Sequence, residues 1–174
     1  MSRLTLNIFK FLTTFRAVAL ATMLSLAFTQ VSAQDLYKGV DAHTAGDYTT
    51  ALQELRPLAE QGDAWAQYFL ADMYQRGLGV PKDVTEVIKW LRLAAEQRHV
   101  ESMIGLASIY AYDFGESPRY VKAHMWSTIT HFNGDEIGKS LADEMESSMT
   151  DADIQKARAM AKECINSGYT KCGD

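Results

Sequence analysis

The sequence predicts an all-α fold, a short α-solenoid of about four antiparallel helix pairs. When the sequence is shifted against itself by 36 residues, Tyr74 falls on Tyr110 and Trp90 falls on Trp126. A fixed period of this length is typical of stacked helical hairpins, so these aromatic residues are predicted to be core residues. Within each period, apolar residues recur three and four positions apart, the spacing of the buried face of a helix. No stretch shows the two-residue alternation of a β-strand over a useful length.

The period at residues 62–97 shows the predicted hairpin most clearly. Asp63 is a suitable N-cap for a first helix, and Asp83 is a suitable N-cap for a second. The loop from Arg76 to Lys82 contains two glycines and a proline, which end a helix and turn the chain. The predicted buried residues are Ala66, Leu70, Met73 and Tyr74 on the first helix and Val87, Trp90, Leu91 and Ala94 on the second.

The neighbouring periods follow the same plan less completely. The predicted pairs are residues 35–61 (a degenerate pair), 62–97, 98–133 and 134–167. In the C-terminal pair, the spacing of Ile137, Leu141 and Met145 predicts the buried face of one helix. Thr150 is positioned to cap the final helix.

Residues 1–33 have the parts of a secretory signal peptide. They contain three basic residues and no acidic residue, an apolar run at residues 17–28, and small residues before a cleavage site after Ala33. The apolar run is shorter than the roughly 20 residues that a membrane-spanning helix needs. We therefore predict cleavage, a single helical-repeat domain at residues 34–174 that is not membrane-integral, and a periplasmic or secreted location.

The charge of the chain argues against nucleic-acid binding. The full sequence has a net charge of −5, and removal of the first 33 residues takes away three of the 17 Lys and Arg residues, which leaves −8. An acidic protein repels nucleic acid and anionic lipid.

The best-preserved period carries a specific motif. Residues 62–95 read GDAWAQYFLADMYQRGLGVPKDVTEVIKWLRLAA. This string resembles a nearly complete repeat of the Sel-one-like repeat (SLR) family, which is related to the tetratricopeptide repeats and has many secreted bacterial members. The resemblance extends over roughly residues 36–165. The copy at residues 98–133 departs from the family pattern, because Asp113 replaces the first loop glycine and Arg119 replaces the capping aspartate.

The resemblance implies an α-solenoid that mediates protein–protein contacts, often as an adaptor, and it brings no shared catalytic residue. We therefore expect an exported scaffold that binds a protein or peptide partner in the cell envelope, with no enzymatic activity and no cofactor. The alternative is an accessory factor or weak enzyme of cell-wall or β-lactam-related metabolism, because some cysteine-rich members of the family are described as β-lactam-binding. Those members carry a cysteine pair in each repeat, whereas this chain has one pair in total.

The sequence shows no catalytic or metal-binding motif. His124 and His131 lie seven positions apart on one predicted helix, roughly 10.5 Å at 1.5 Å per residue, which is too far for one metal ion. We expect all four histidines, His43, His99, His124 and His131, to lie at the surface, so that His124→Ala would be nearly silent. The stretch from Gly134 to Ser140 superficially resembles a phosphate loop, but its glycines are one residue too close and it follows no strand.

Cys164 and Cys172, the two cysteines of the chain, are expected to form a disulfide. An even number of cysteines in an exported protein favours pairing. Gly168 can end the last helix in the left-handed conformation, so that the following residues return along that helix. Two free thiols or an intermolecular link are the alternatives.

The predicted binding surface lies on the first helices of the two central pairs. In stacked hairpins the first helices line the concave side, and Trp, Tyr and Arg dominate binding energy at protein interfaces. The candidate groove consists of Trp65, Tyr68, Asp72 and Arg76 and, one period later, of Glu101, Ile104, Ser108 and Tyr112. Alternatively, Trp65 and Tyr68 cover the adjoining repeat and belong to the core.

Overall fold

The computed structural model describes residues 35–112 and 120–172. Over these residues the chain forms eight α-helices and no β-strand, so the predicted all-α repeat fold is confirmed. The helices are α1 (residues 35–45), α2 (Tyr48–Glu60), α3 (Ala64–Arg76), α4 (Val84–Glu96), α5 (Val100–Tyr112), α6 (Tyr120–Phe132), α7 (Glu136–Glu146) and α8 (Asp151–Asn166). The predicted signal peptide and the loop with Asp113 and Arg119 lie outside the described residues. None of the described helices is both long and apolar enough to cross a membrane.

Three helix starts that were predicted from the sequence are confirmed. Asp63 caps α3 by accepting a hydrogen bond from the amide of Ala66 at 2.8 Å, Asp83 caps α4, and Thr150 caps α8. At the other end of α3, Gly77 adopts a left-handed conformation with a φ of 74°. A residue with a Cβ atom adopts this conformation at a cost, so the glycine ends α3 and begins the turn toward α4.

The helices stack in chain order, and α6 lies at the centre of the C-terminal end. From α2 to α7, each helix packs against the next one, and α8 packs back against α6 rather than against α7. Because α5, α7 and α8 all cover α6, this helix is buried around most of its circumference. Its buried residues are Ala123, His124, Met125, Trp126, Ser127, Ile129 and Thr130.

The aromatic residues that share the 36-residue period lie in or beside the core. Trp90, Tyr110 and Trp126 are buried, with 5%, 4% and 1% of their surface exposed. Tyr74 is partly buried, and its hydroxyl accepts a hydrogen bond from the guanidinium of Arg56 at 3.1 Å. The period therefore identified positions at which large side chains fill the space between helices.

The buried face of α7 differs from the predicted one. Ile137 is 53% exposed and Leu141 is only partly buried. The buried residues are Gly138, Ala142 and Met145. A Cβ atom at Gly138 would touch the backbone of α6, at 2.5 Å from the carbonyl oxygen of Ser127. The missing side chain lets the two helix backbones come so close that α7 turns its small residues toward α6 and leaves Ile137 in solvent.

A disulfide between Cys164 and Cys172 closes the C-terminal end of the described chain. Gly168 is left-handed (φ 66°), and the amide of Tyr169 donates to the carbonyl of Cys164 at 2.9 Å, which ends α8 in a Schellman motif. Tyr169 is buried, and its hydroxyl exchanges hydrogen bonds of 2.8 and 3.0 Å with the side chain of Asn133. The short tail is therefore anchored to the loop between α6 and α7 as well as to α8.

Two of the four histidines are buried, which corrects the prediction that all of them lie at the surface. His99 is 8% exposed and His124 is 1% exposed. The Nε2 atom of His124 lies 2.8 Å from Oε1 of Glu146, and the same oxygen accepts a hydrogen bond from Arg158 at 2.7 Å. These contacts link α6, α7 and α8. Because loss of the imidazole removes a buried hydrogen-bonding group, His124→Ala is expected to destabilise the fold rather than to be silent.

The stabilising effect of this network should fade in acid. The hydrogen bond from His124, together with that from Arg158, lowers the pKa of Glu146. A carboxyl group whose pKa is lower in the folded state stabilises the fold above its unfolded-state pKa, and this effect is lost as the pH falls through the folded-state pKa. The difference in unfolding free energy between the wild type and Glu146→Gln should be largest at neutral pH and should shrink below about pH 4.5.

Urea unfolding at a series of pH values measures this difference. Glu163→Gln is the matched control, because Glu163 is an exposed carboxylate on α8 and its loss should change little at any pH. A difference between the wild type and Glu146→Gln that stays constant from neutral pH to acid would contradict the role given to the carboxylate.

Candidate functional site

The eight residues predicted to form a groove lie on two first helices, and none of them is buried. Four belong to α3 and four to α5, and each is exposed or partly exposed. Among these eight residues, the exposed aromatic side chains are Tyr112, with 64% of its surface exposed, and Trp65, with 46%. We call this surface the first-helix face. It is formed by Trp65, Tyr68, Asp72, Arg76, Glu101, Ile104, Ser108 and Tyr112.

An aromatic cluster surrounds the N-terminal half of α3. The ring of Trp65 lies 6.2 Å from the ring of Tyr68, nearly perpendicular to it, and 6.3 Å from the ring of Phe69. Phe69 also lies 5.6 Å from Tyr68 and 5.3 Å from His43 of α1. Aromatic rings at such separations attract one another. The cluster therefore supports Trp65 from one side, while nearly half of the indole surface stays open to solvent.

His99 joins this cluster from the following repeat, a role that the sequence analysis did not assign to it. It lies 36 residues after Asp63 and directly precedes α5, as Asp63 directly precedes α3. The Nδ1 atom of His99 accepts the amide of Ser102 at 3.3 Å, just as the carboxylate of Asp63 accepts the amide of Ala66. The shared period was thus the signal by which His99 could have been recognised as a helix cap.

The ring of His99 is packed against the aromatic side chains of α3. It lies 4.4 Å from the ring of Trp65 and 5.3 Å from that of Tyr68. Because Nδ1 accepts a hydrogen bond, the proton of the neutral ring is on Nε2, which is buried and has no hydrogen-bond partner among the described residues. Burial lowers the pKa of His99, against the opposing effect of the carboxylates of Glu101 and Asp63. His99 is therefore uncharged at neutral pH.

Trp65 and Tyr68 both make the contacts with the adjoining repeat that were considered as the alternative to a binding role, and Trp65 also keeps an exposed ring. Both side chains make these contacts with the ring of His99. The pKa of Tyr68 is raised by its partial burial and by the neighbouring carboxylates of Asp72 and Glu101. Glu101 belongs to α5, so carboxylates of both helices act on Tyr68.

The charged residues of the first-helix face are Asp72, Glu101 and Arg76. Asp72 has two partners, Nε2 of His43 at 2.9 Å and the guanidinium of Arg76 at 3.3 Å. Arg76 is the one cationic residue of the face, and Asp72 balances its charge. Glu101 is half exposed, and one of its carboxylate oxygens lies 3.6 Å from Nδ1 of the uncharged His99.

At the C-terminal end of α5 the surface continues onto α7. The hydroxyl of Tyr112 donates a hydrogen bond to Glu144 at 2.9 Å, which raises the pKa of Tyr112. Ile137, which lies 36 residues after Glu101, is exposed on α7. The structure thus groups Trp65 with its aromatic neighbours on α3, whereas Tyr112 is linked to α7. Sequence reasoning missed Glu144, because only the packing of two helices brings it to Tyr112.

The chemistry available on this face is that of non-covalent binding. Aromatic rings contact apolar and cationic groups, and carboxylates accept hydrogen bonds and attract cations. Across residues 35–112 and 120–172, no group of three or more His, Cys, Asp or Glu side chains is arranged to hold a metal ion.

Comparison with known proteins identifies the repeat. The Sel1 repeat family matches residues 66–99 and 100–128. The sel1-like repeat-containing protein L18 of Acanthamoeba polyphaga mimivirus is 35% identical over 52 residues, which are 30% of this chain and 9% of the viral protein. The chain therefore corresponds to a small part of that relative. These matches confirm the resemblance that was read from residues 62–95.

A solved structure shows the same architecture. The crystal structure of c5321, a protective antigen present in uropathogenic Escherichia coli strains and displaying an SLR fold, matches with a TM-score of 0.72. The two chains are 24% identical, and the match covers 79% of this chain and 31% of the antigen. At this level of identity the likeness concerns the fold, and function has to be argued from the site.

Proposed function

We propose that this chain is an exported scaffold that binds a protein partner in the cell envelope. It carries Sel1 repeats in an SLR fold, and such repeats generally mediate protein–protein interaction. The first-helix face is the proposed binding surface. The proposed activity is binding, and no catalytic step is assigned to the chain.

The exposure of Trp65 is the observation that carries this proposal. A tryptophan in a repeat protein normally fills the core, as Trp90 and Trp126 do, yet 46% of the Trp65 surface faces solvent. Exposed Trp and Tyr side chains that are held by a rigid neighbourhood are typical anchors at protein interfaces. Here the aromatic cluster and His99 supply that rigid support.

Two features support export to an oxidising compartment. Residues 1–33 have the pattern of a signal peptide, with cleavage after Ala33. The disulfide between Cys164 and Cys172 is of the kind that persists in the periplasm or outside the cell.

Site-specific photo-crosslinking tests the proposed surface and location together. A photoreactive derivative of phenylalanine, which keeps an aromatic ring at the position, replaces Trp65 in the full-length chain. As the control, the same derivative replaces Leu93, an apolar residue on α4 that is 37% exposed and lies outside the first-helix face. After expression in a bacterial host, illumination should produce discrete protein adducts from position 65 and none from position 93. The intact mass of the recovered chain should show the loss of residues 1–33.

Two results would contradict the proposal. Equal adduct patterns from both positions, or none from position 65, would remove the first-helix face as the binding surface. A chain that stays in the cytoplasm and keeps its first 33 residues would rule out the envelope location.

A further inference from the structure

Exposed aromatic rings of the first-helix face lie beside two carboxylates, Glu101 of the face and Glu144 of α7, that have no cationic partner among the described residues. This combination favours one kind of partner. We propose that the partner presents a lysine- or arginine-rich segment to this face. The inference rests on the proposed function, because it names the chemistry of the partner that the same face binds.

The first aromatic–carboxylate pair is built around His99. The imidazole lies 4.4 Å from the ring of Trp65, and its Nδ1 atom lies 3.6 Å from the carboxylate of Glu101. The indole and the carboxylate therefore flank the same buried ring, and both have exposed surface. A guanidinium or ammonium group can rest on the indole, because a cation over an aromatic face is attracted by the ring. From that position it can also form an ion pair with Glu101.

The second pair lies at the other end of α5. Tyr112 is 64% exposed, and its hydroxyl is hydrogen-bonded to the carboxylate of Glu144 at 2.9 Å. Glu101 and Tyr112 are separated along α5 by roughly 16 Å at 1.5 Å per residue. An extended peptide covers this distance in about five residues. Two basic positions of one segment can therefore reach both pairs.

Within residues 35–112 and 120–172, no cationic side chain forms an ion pair with either of these carboxylates. Arg76 is occupied by Asp72 at 3.3 Å, and His99 is held neutral by burial and by its role as a helix cap. Glu144 has the neutral hydroxyl of Tyr112 as its neighbour. The chain as a whole carries a net charge of −5, which steers a basic segment toward it and repels an acidic one.

Binding of defined peptides to the intact exported protein tests the inference. The probe is a capped, fluorescent peptide of about twelve residues with two arginine pairs roughly 16 Å apart when extended. The control peptide carries glutamate at the same positions. The arginine peptide should bind, its affinity should fall as salt is raised, and the glutamate peptide should not bind.

Two double variants distinguish recognition by the first-helix face from attraction by the net charge of the protein. Glu101→Gln with Glu144→Gln should weaken binding of the arginine peptide about fivefold, as expected for the loss of two exposed ion pairs. Glu60→Gln with Glu163→Gln removes the same charge from exposed positions on α2 and α8 and should leave the affinity unchanged within about twofold. All four glutamates are exposed, so their replacement by glutamine should not disturb the fold. Melting curves of both double variants check that the fold is retained.

Three results would overturn the inference. The first is that the arginine peptide does not bind, and the second is that the two peptides bind equally. The third is that both double variants weaken binding equally, which would indicate attraction by overall charge alone. The crosslinks from position 65 separate this failure from failure of the proposed function. If discrete adducts form and their yield is unchanged in Glu101→Gln with Glu144→Gln, the face binds a partner of another chemistry. If no adducts form in the parent chain, the proposed binding surface itself is wrong.

Discussion

Replacement of Trp126 by alanine should lower the free energy of unfolding by ~3–5 kcal/mol, the usual cost of removing a buried tryptophan. Trp126 is 1% exposed and lies on α6, which α5, α7 and α8 all cover. Because three helices pack against α6, none of them can move in to fill the void without disturbing its other contacts with α6. A domain of this size has about 5–15 kcal/mol of stability, so a large share would be lost. Urea unfolding followed by circular dichroism measures the change.

Trp65→Ala is the matched control for this experiment. The indole of Trp65 is 46% exposed and contacts its neighbours mainly through aromatic pairs, which contribute about 0.5–1.5 kcal/mol. We therefore expect a small loss of stability and a complete loss of partner capture from an envelope extract by the Trp65→Ala chain. If Trp65→Ala destabilises the fold as much as Trp126→Ala does, Trp65 is a core residue and the proposed binding surface is lost.

Gly138→Ala, which adds a single methyl group to a helical glycine, should strongly destabilise the fold. A Cβ atom at this position would lie against the backbone of α6, touching the nitrogen of His131 and standing 2.5 Å from the carbonyl oxygen of Ser127. Backbone atoms cannot rotate away, so α7 would have to separate from α6. Overpacking of this kind costs about 1–3 kcal/mol or more, which outweighs the higher helix propensity of alanine, about 1 kcal/mol.

Gly105→Ala provides the comparison, because it adds the same methyl group to another helical glycine. Its Cβ atom would lie 3.1 Å from Cδ1 of Leu91, the flexible end of a side chain that can shift. Thermal unfolding should place Gly105→Ala within about 1 kcal/mol of the wild type, with helix propensity offsetting the contact. Similar stability of the two variants would show that α6 and α7 are not in close backbone contact.

Sequence reasoning was most successful where local rules decide the structure. Asp63, Asp83 and Thr150 cap helices as predicted, because a short polar side chain before an apolar stripe satisfies free amides whatever lies around it. Gly168 takes the left-handed conformation for a similarly local reason. The 36-residue period located Trp90 and Trp126 because equivalent positions of stacked repeats meet equivalent neighbours.

Prediction from the sequence failed where the burial of a residue depends on which helices surround its own helix. His124 was placed at the surface because it is polar, but three helices cover α6 and Glu146 supplies the hydrogen bond that makes burial tolerable. Ile137 was placed in the core because it is apolar, but Gly138 draws α7 against α6 along its small residues. Neither contact has a signal in the local pattern of the helix on which it lies.

The helical hairpins, their 36-residue period, the caps and most of the core could be predicted from the sequence, because these follow from side-chain spacing within a single helix or repeat. The contacts that make up the first-helix face depend on tertiary packing. His99 reaches Trp65 only because the start of α5 packs on α3, and Glu144 reaches Tyr112 only because α7 follows α5 in the stack. Such contacts depend on the distance and rotation between helices, which are set by interhelical packing at positions such as Gly138. No periodicity within one helix encodes them.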